Sequence, residues 1–172
     1  SALQNVADNG LEDKIEVRLA NGLAAFEPTD SISCITIAGM GGRLIADILG
    51  AGLEKLAGVS RLVLQPNNRE DELRAWLVDH DFLIVDEAIL EENEKFYEIL
   101  VVEQGSQELS AKELRFGPYL MREQAPAFVQ KWSKEVEKLA FALEQVPVEN
   151  QSARASLEDR IAQIKEVLNE SK

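Results

Sequence analysis

The 172-residue sequence is poor in metal-binding and cross-linking side chains, with one cysteine and one histidine. A single cysteine excludes an internal disulfide, and one cysteine with one histidine argue against a structural zinc site. No apolar run approaches the roughly 20 residues of a membrane span, and no signal-peptide pattern is present. No Ser-His-Asp, Cys-His or paired-carboxylate set is visible. We therefore expect a cytoplasmic globular protein that uses no metal, with Cys34 buried in an apolar run.

Basic residues are also scarce, and the net charge of −13 argues against nucleic-acid binding by the chain as a whole. The charge is uneven, however. Residues 1–109 hold 8 Lys and Arg against 21 Asp and Glu, whereas residues 110–172 hold 10 of each. The second part is therefore the better candidate surface for a polyanion.

Hydrophobic periodicity predicts alternating helices and strands through the first part of the chain. The predicted elements are a helix at 2–8, strands at 15–19 and 31–39, a helix at 42–58, a strand at 61–66, a helix at 69–82 and a hairpin at 83–105. The strand at 31–39 is predicted to be buried on both faces, and Leu44, Ile45, Ile48, Leu49, Leu53 and Leu56 to face inward from their helix. This order indicates an α/β fold with a parallel sheet, to one edge of which the hairpin adds an antiparallel strand.

The pattern changes after Gln107. Residues 109–124 are interpreted as a linker broken at Gly117-Pro118. Two long periodic stretches follow, one from Phe128 to Val146 and one from Leu157 to Leu168, separated near Pro147. They predict an antiparallel, coiled-coil-like helical hairpin that packs on the sheet domain or projects from it.

Three predicted strands end in loops of small or polar residues: "LANGL", "IAGMGG" and "LQPNNRE". Ligands of open α/β sheets bind at the carboxyl ends of parallel strands. The glycines of "IAGMGG" would let backbone amides approach a ligand, beside the free N–H groups that begin the next helix. Taken alone, the same glycines also suit a tight turn with close helix-to-sheet packing.

The amides of "QPNN" suit adenine, which offers a donor at N6 beside ring acceptors. Asn68 is interpreted with equal weight as the N-cap of the following helix. Tyr97 and Phe96 fit either a core position or stacking on a base. Lys131, Lys134 and Lys138 share one helical stripe that could meet phosphates, or form a solvated face.

The run from "SALQNVADNGLEDKIEVRLANGL" through "ITIAGMGG" to "LVLQPNNRE" resembles a class I S-adenosylmethionine-dependent methyltransferase. With "KFYEILVVE" and the helical hairpin, it resembles the bacterial tRNA adenine-N1 methyltransferase family that modifies adenine 22. The resemblance covers essentially the whole chain. It implies a partial Rossmann-like methyltransferase domain with a mixed sheet at 1–109, a hairpin domain at 110–172 that contacts tRNA, and S-adenosylmethionine as cofactor.

The resemblance also implies roles for the loop residues. The predicted cofactor-binding residues are Ala20, Asn21, Gly22, Ala38, Gly39 and Met40. The predicted catalytic residues are Gly39, Met40, Gly41, Gln65 and Asn67. The predicted substrate-binding residues are Gly42, Asn68, Tyr97, Lys131, Lys134 and Lys138.

One departure from the family is large. Such enzymes begin with a strand, a glycine-containing loop and a second strand ending in an acid, and the sequence contains none of these. We therefore expect the chain alone to lack half of the cofactor site and to be inactive. Two alternatives stay open: a methyltransferase of rRNA, protein or a small molecule, and a non-enzymatic interaction module built on the hairpin. The oligomeric state is also open.

Overall fold

The computed structural model describes residues 1–169, and its centre is a four-stranded mixed sheet. The strands are β1 (Cys34–Met40), β2 (Arg61–Pro66), β3 (Phe82–Glu92) and β4 (Lys95–Gln104). Their order in the sheet is β1-β2-β4-β3. β1 and β2 are parallel, and β4 is antiparallel to both of its neighbours. The predicted α/β class with a mixed sheet is confirmed.

The position of the antiparallel strand differs from the prediction. β4 lies inside the sheet, between β2 and β3, and not at its edge. Leu100 and Val102 of β4 are fully buried, as expected of a strand with neighbours on both sides. The tight turn at 93–94 places β3 beside β4. The second strand of this hairpin, β4, is the one that pairs with β2.

Seven helices flank or extend this sheet within the described residues. They are α1 (Ala2–Asp8), α2 (Gly42–Ala51), α3 (Glu70–Asp79), α4 (Ala111–Phe116), α5 (Pro118–Glu123), α6 (Pro126–Gln145) and α7 (Gln151–Asn169). Three short 3₁₀ helices occupy Gly22–Ala25, Pro28–Asp30 and Leu53–Gly58. α2 and α3 pack with the sheet around one core that includes Ile45, Leu49 and Leu64.

The helix predicted at 42–58 is divided. α2 ends at Ala51, Gly52 follows it, and the 3₁₀ helix Leu53–Gly58 continues the chain. Because the pitch changes there, the α-helical periodicity does not continue past Gly52. The prediction that Leu44 and Leu53 face inward is wrong, since both are exposed.

The strand predicted at 15–19 is absent from the structure. Residues 15–20 form no regular secondary structure and have no ladder partner among the described strands, and Leu19 is fully exposed. An alternating pattern makes a strand only where a neighbour accepts its hydrogen bonds. β1 is consequently one of the two edge strands of the described sheet, the other being β3. The predictions that the strand is buried on both faces and that Cys34 is buried are wrong.

The segment predicted as a linker is folded into α4 and α5. Ser110 and Glu113 form a capping box that begins α4, and Phe116 and Leu120 are buried. The helical hairpin is confirmed, with α6 packed on α7. Its core contains Phe128, Trp132, Leu139, Ile164 and Val167, and Ile89 of β3 packs against it. The hairpin therefore rests on the sheet.

Candidate active site

The loops that follow β1 and β2 are bonded to one another at the carboxyl edge of the parallel pair. Met40 is opposite Pro66 in the sheet. The Asn67 N–H donates to the Met40 carbonyl at 2.7 Å, and the Gly42 N–H donates to the Asn68 carbonyl at 2.9 Å. Two loops whose bonded residues are 26 and 27 positions apart in the sequence thus form one continuous wall.

Gly39 forms a bulge at the end of β1. The register of the strand pair shifts between Ala38 and Met40, and Gly39 has a φ of 77°, which only glycine adopts readily. The bulge removes the Gly39 N–H from the ladder, and the Gln65 Oε1 accepts it at 2.8 Å. The Gln65 side chain therefore fixes the shape of the glycine loop.

The amide nitrogen of Gln65 is also engaged. Its Nε2 donates to the Pro66 carbonyl at 2.9 Å and to the Asn67 Oδ1 at 3.2 Å. These hydrogen bonds within the protein thus compete with the predicted contact between Gln65 and adenine. Asn67 is exposed, and its Nδ2 has no hydrogen-bond partner among the described residues.

Gly42 marks the closest approach of α2 to the second loop. A Cβ at this position would lie 2.5 Å from the Arg69 carbonyl oxygen and 2.9 Å from that of Asn68. At Gly41, a Cβ would lie 2.9 Å from the Asn68 Oδ1. The interpretation of these glycines as a close-packed turn is therefore correct. The same glycines also form part of the wall.

The prediction that Asn68 caps the following helix is wrong. The N-cap of α3 is Arg69, which has a φ of 54° and makes no side-chain cap bond. Glu70, Asp71 and Glu72 stand in the first turn, where acidic groups favour the helix dipole. This leaves Asn68 to line the wall beside Gly41.

An apolar groove of about 360 Å³ runs along the exposed edge of β1. Its lining brings Gly22 together with Ala38 and Met40, and Phe26 and Ile48 add apolar surface. Walls of this kind fit a flat, weakly polar ring system. Asn21 lines a neighbouring cavity on the other side of Gly22, with Asp47 and Lys55, and Ala20 is exposed and lines neither.

A second, more polar cleft of about 520 Å³ opens beside Asn67 and Asn68. It is bounded by the start of α3, the tip of the β3–β4 hairpin and the helices α6 and α7. Its basic residues are Arg115, Lys131, Lys134, Lys138 and Arg160, and its acidic residues are Glu70, Asp71 and Glu135. We call this the basic cleft. It is a local excess of positive charge on a strongly acidic protein.

The three predicted lysines all line the basic cleft, but their surroundings differ. The Lys131 Nζ bonds to Glu98 at 2.6 Å and to Glu70 at 3.1 Å. Burial disfavours its charge, but these two carboxylates outweigh burial and hold the pKa of Lys131 above its ordinary value. Lys134 lies 5.2 Å from the centre of the Phe96 ring, and Lys138 is largely exposed. Lys134 and Lys138 are the accessible cations of the stripe.

Sequence reasoning missed Arg115 and Arg160 of this cleft and did not separate Phe96 from Tyr97. Arg115 lies in the segment interpreted as a linker, and Arg160 lies on the second helix, where no stripe pointed to it. Phe96, and not Tyr97, lines the cleft, because successive side chains of β4 face opposite sides of the sheet. In "DRIAQ", Arg160 and Gln163 are spaced so that they lie on the same face of a helix. This spacing is the one signal in the sequence that could have pointed to Arg160.

Within residues 1–169, no group of three or more His, Cys, Asp or Glu side chains is arranged to hold a metal ion. None of the helices in this range is long and apolar enough to cross a membrane.

Residues 1–166 match the TrmK family, described as tRNA (adenine(22)-N(1))-methyltransferase. The chain belongs to the TrmK family. It is 39% identical to the tRNA (adenine(22)-N(1))-methyltransferase of Bacillus subtilis strain 168, over 98% of this chain and 75% of that protein.

Solved structures agree with this TrmK assignment. The crystal structure of Streptococcus pneumoniae Sp1610 is 65% identical, with a TM-score of 0.95 over 98% of this chain and 76% of that one. Its complex with S-adenosyl-L-methionine gives a TM-score of 0.89 at 64% identity, over 98% and 75% of the two chains. A Streptococcus agalactiae protein of the NADB-Rossmann superfamily is 58% identical, with a TM-score of 0.90 over 98% and 74%.

The TrmK match includes both the wall and the basic cleft. Gly39, Gln65 and Asn67 lie within the matched residues, as do Arg115 and Arg160. The site and the helical hairpin are therefore parts of one family architecture.

Proposed function

We propose that this protein transfers a methyl group from S-adenosylmethionine to N1 of adenine 22 in tRNA. The observation that carries the proposal is membership of the TrmK family across residues 1–166, in a chain whose two strand-end loops form a single wall. It rests also on 39% identity to a curated enzyme of that activity.

The apolar groove is the part of the chain that fits the cofactor. Its walls suit the adenine ring, and Gly22, Ala38 and Met40 are the residues we propose to contact it. When bound, S-adenosylmethionine supplies an electrophilic methyl group. We assign the chain's own residues the task of placing that group and the target base on opposite sides of the Gly39–Gly42 loop.

Positioning is the main catalytic contribution that the wall can make. N1 of adenine carries a lone pair at neutral pH, so the acceptor needs no strong base, and alignment supplies most of the rate. We propose that Gln65 holds the loop and that the Asn67 amide orients the adenine. Because N1 lies on the Watson–Crick edge, a paired base would have to leave its helix first.

The basic cleft is the proposed tRNA surface. It adjoins Asn67, so a strand bound there would deliver a base to the wall. Lys134 and Lys138 provide charge for phosphates, and Phe96 provides an aromatic face for stacking. We therefore propose residues 1–109 as the catalytic domain and residues 110–172 as the tRNA-contacting domain.

The test is a labelled-methyl transfer assay with unmodified tRNA, ribosomal RNA and total protein as acceptors. It uses the full-length protein. We expect label in tRNA alone. Label in ribosomal RNA or protein, with none in tRNA, would contradict the proposed substrate.

A further inference from the structure

Arg115 and Arg160 stand at the junction of two clefts. Both line the basic cleft, and both also line a neighbouring cleft of about 720 Å³ along α4, α7 and the start of α3. A ligand that passed from one cleft to the other would therefore run past this pair.

The guanidinium of Arg115 is held in place by neutral contacts. It lies 5.0 Å from the centre of the Phe116 ring and 5.7 Å from that of Trp132. Its Nη1 donates to the Gln163 Oε1 at 2.8 Å. A guanidinium carries five N–H donors, and no other hydrogen bond or ion pair engages Arg115 within residues 1–169. The group is fixed while most of its donors stay available.

The charge of Arg115 is poorly compensated. Partial burial, followed by the nearby charge of Arg160, lowers the pKa of Arg115, against weaker opposing effects of Glu135, Asp71 and Asp159. Arg160 reaches Glu135 only at 3.5 Å, and Glu135 also faces Lys138 at 3.6 Å. Glu135 is thus shared between two cations, and Asp71, which lines both clefts, forms no ion pair with Arg115 or Arg160 among the described residues.

Arg74 shows the contrasting arrangement in the same protein. It is fully buried and bonded to Glu87 and Glu98, each through its own nitrogen. Removing a cation from water without such partners is unfavourable unless an anion joins it. Arg115 is only partly buried and has no carboxylate bonded to it among the described residues, so its free N–H donors are open to an external anion.

We propose that Arg115 and Arg160 together bind one backbone phosphate of the RNA, at the point where the strand passes between the two clefts. The fork of an arginine matches the oxygens of a phosphate, and stacking on aromatic rings keeps that fork oriented. Phe96 and Lys134 at the opposite side of the basic cleft favour a nucleotide over an acidic peptide, since they offer a stacking face. The inference rests on the proposed function in that its ligand is tRNA.

The test compares Arg115→Gln, Arg160→Gln and the double variant with Lys165→Gln. Lys165 is exposed on α7 outside both clefts, so its loss makes the same change of charge elsewhere. The affinity for unmodified tRNA is measured against salt concentration by fluorescence anisotropy. We expect each arginine variant to bind about tenfold more weakly and its log–log salt slope to shrink by about 0.7 to 0.9.

Sharing of one phosphate predicts that the double variant loses little more than either single one. It also predicts that Arg115→Lys keeps the salt slope but loses affinity, since lysine keeps the charge without the fork. A short RNA strand should compete with tRNA for binding. Inorganic phosphate at millimolar concentration should not. Thermal unfolding checks that each variant is folded. If Arg115→Gln unfolds, Arg160→Gln still tests the site, because Arg160 is exposed.

Unchanged affinity and slope in both single variants, or equal losses in Lys165→Gln, would overturn the site. So would arginine-dependent binding of a polyglutamate peptide in place of tRNA. These results are independent of methylation. If wild-type protein bound tRNA with the predicted arginine dependence but methylated none, the proposed function would fail and the phosphate site would stand.

Discussion

At the residue scale, the wall depends on side chains that are small or internally bonded. Gly42 lets α2 approach the carbonyls of Asn68 and Arg69, and Gln65 ties the bulge at Gly39 to β2. The same contacts that make a tight turn also align the two loops. A single methyl group at Gly42 is enough to separate them.

Gly42→Ala is therefore expected to cost about 1–3 kcal/mol of stability, because its methyl group meets backbone atoms that cannot move aside easily. Gly58→Ala is the matched control. A Cβ there has nothing within 4 Å, and the change should stay within about 0.5 kcal/mol. Urea unfolding measures both. Equal stability of the two variants would contradict the close approach described for Gly42.

Asn67→Ala should lower turnover at least tenfold while leaving urea unfolding nearly unchanged, since Asn67 is exposed and the proposal assigns it to the adenine. Asn5→Ala, on exposed α1, serves as the control for the same chemical change. Both are measured as methyl transfer to tRNA in the full-length protein. Wild-type turnover in Asn67→Ala would remove Asn67 from the site.

At the element scale, most helices and strands could be predicted, and the errors share a physical origin. β2, β3 and β4 carry apolar residues that end up paired and packed, so their patterns were sufficient. Residues 15–19 alternate equally well but have no ladder partner among the described strands. Periodicity reports which face of a segment is apolar, whereas strand formation also requires a neighbour.

The segment from 109 to 124 shows the opposite error. Gly117-Pro118 suggested a linker, but Pro118 is the first residue of α5, where its missing N–H has no cost. A capping box at Ser110 and Glu113 was readable in "SAKE". The cleft residue Arg115 was missed for the same reason, since residues of a presumed linker were not considered as site residues.

Ser110→Ala is expected to cost about 1 kcal/mol by removing the cap of α4. The bonds from Ser110 hold the pKa of Glu113 below its ordinary value of 4.5. Because the folded pKa is the lower one, the contribution of Glu113 is complete above pH 4.5 and is lost as the pH falls through the folded value.

The stability advantage of wild type over Glu113→Gln should accordingly narrow as the pH falls below 4.5, as followed by urea unfolding at each pH. Glu158→Gln, for which no hydrogen bond or ion pair is described, should show no such convergence. A stability difference between wild type and Glu113→Gln that stays constant as the pH falls would contradict the role of Glu113 in the capping box.

At the scale of the whole molecule, a buried network of charges joins the sheet to the C-terminal helices. Arg74 of α3 bonds to Glu87 of β3 and Glu98 of β4, and its Nη1 donates to the Leu114 carbonyl. Glu87 also accepts the Tyr119 N–H at 2.9 Å, and Lys131 of α6 bonds to Glu98. No sequence pattern predicted this network, because its members are brought together only by the tertiary fold.

Glu87→Gln should destabilise the protein by about 3–5 kcal/mol, since it leaves Arg74 buried with one carboxylate fewer. Glu92→Gln on the exposed end of β3 is the control, and it should change stability by less than about 0.5 kcal/mol. Circular dichroism and tryptophan fluorescence would follow the unfolding. The chain has two tryptophans, so Trp76 of α3 is replaced by Phe in every variant and Trp132 then reports on the helical hairpin. Loss of the Trp132 signal together with the circular dichroism signal would confirm the coupling, and separate transitions would contradict it.

The central claim is methylation of N1 of adenine 22, and mapping at nucleotide resolution tests it most directly. The full-length protein is incubated with S-adenosylmethionine and two tRNA transcripts, one with adenine and one with guanine at position 22. Primer extension and mass spectrometry then locate N1-methyladenosine. We predict a single modified base at position 22 of the first transcript and none in the second. Equal modification of both transcripts, or none in either despite S-adenosylmethionine binding, would contradict the account.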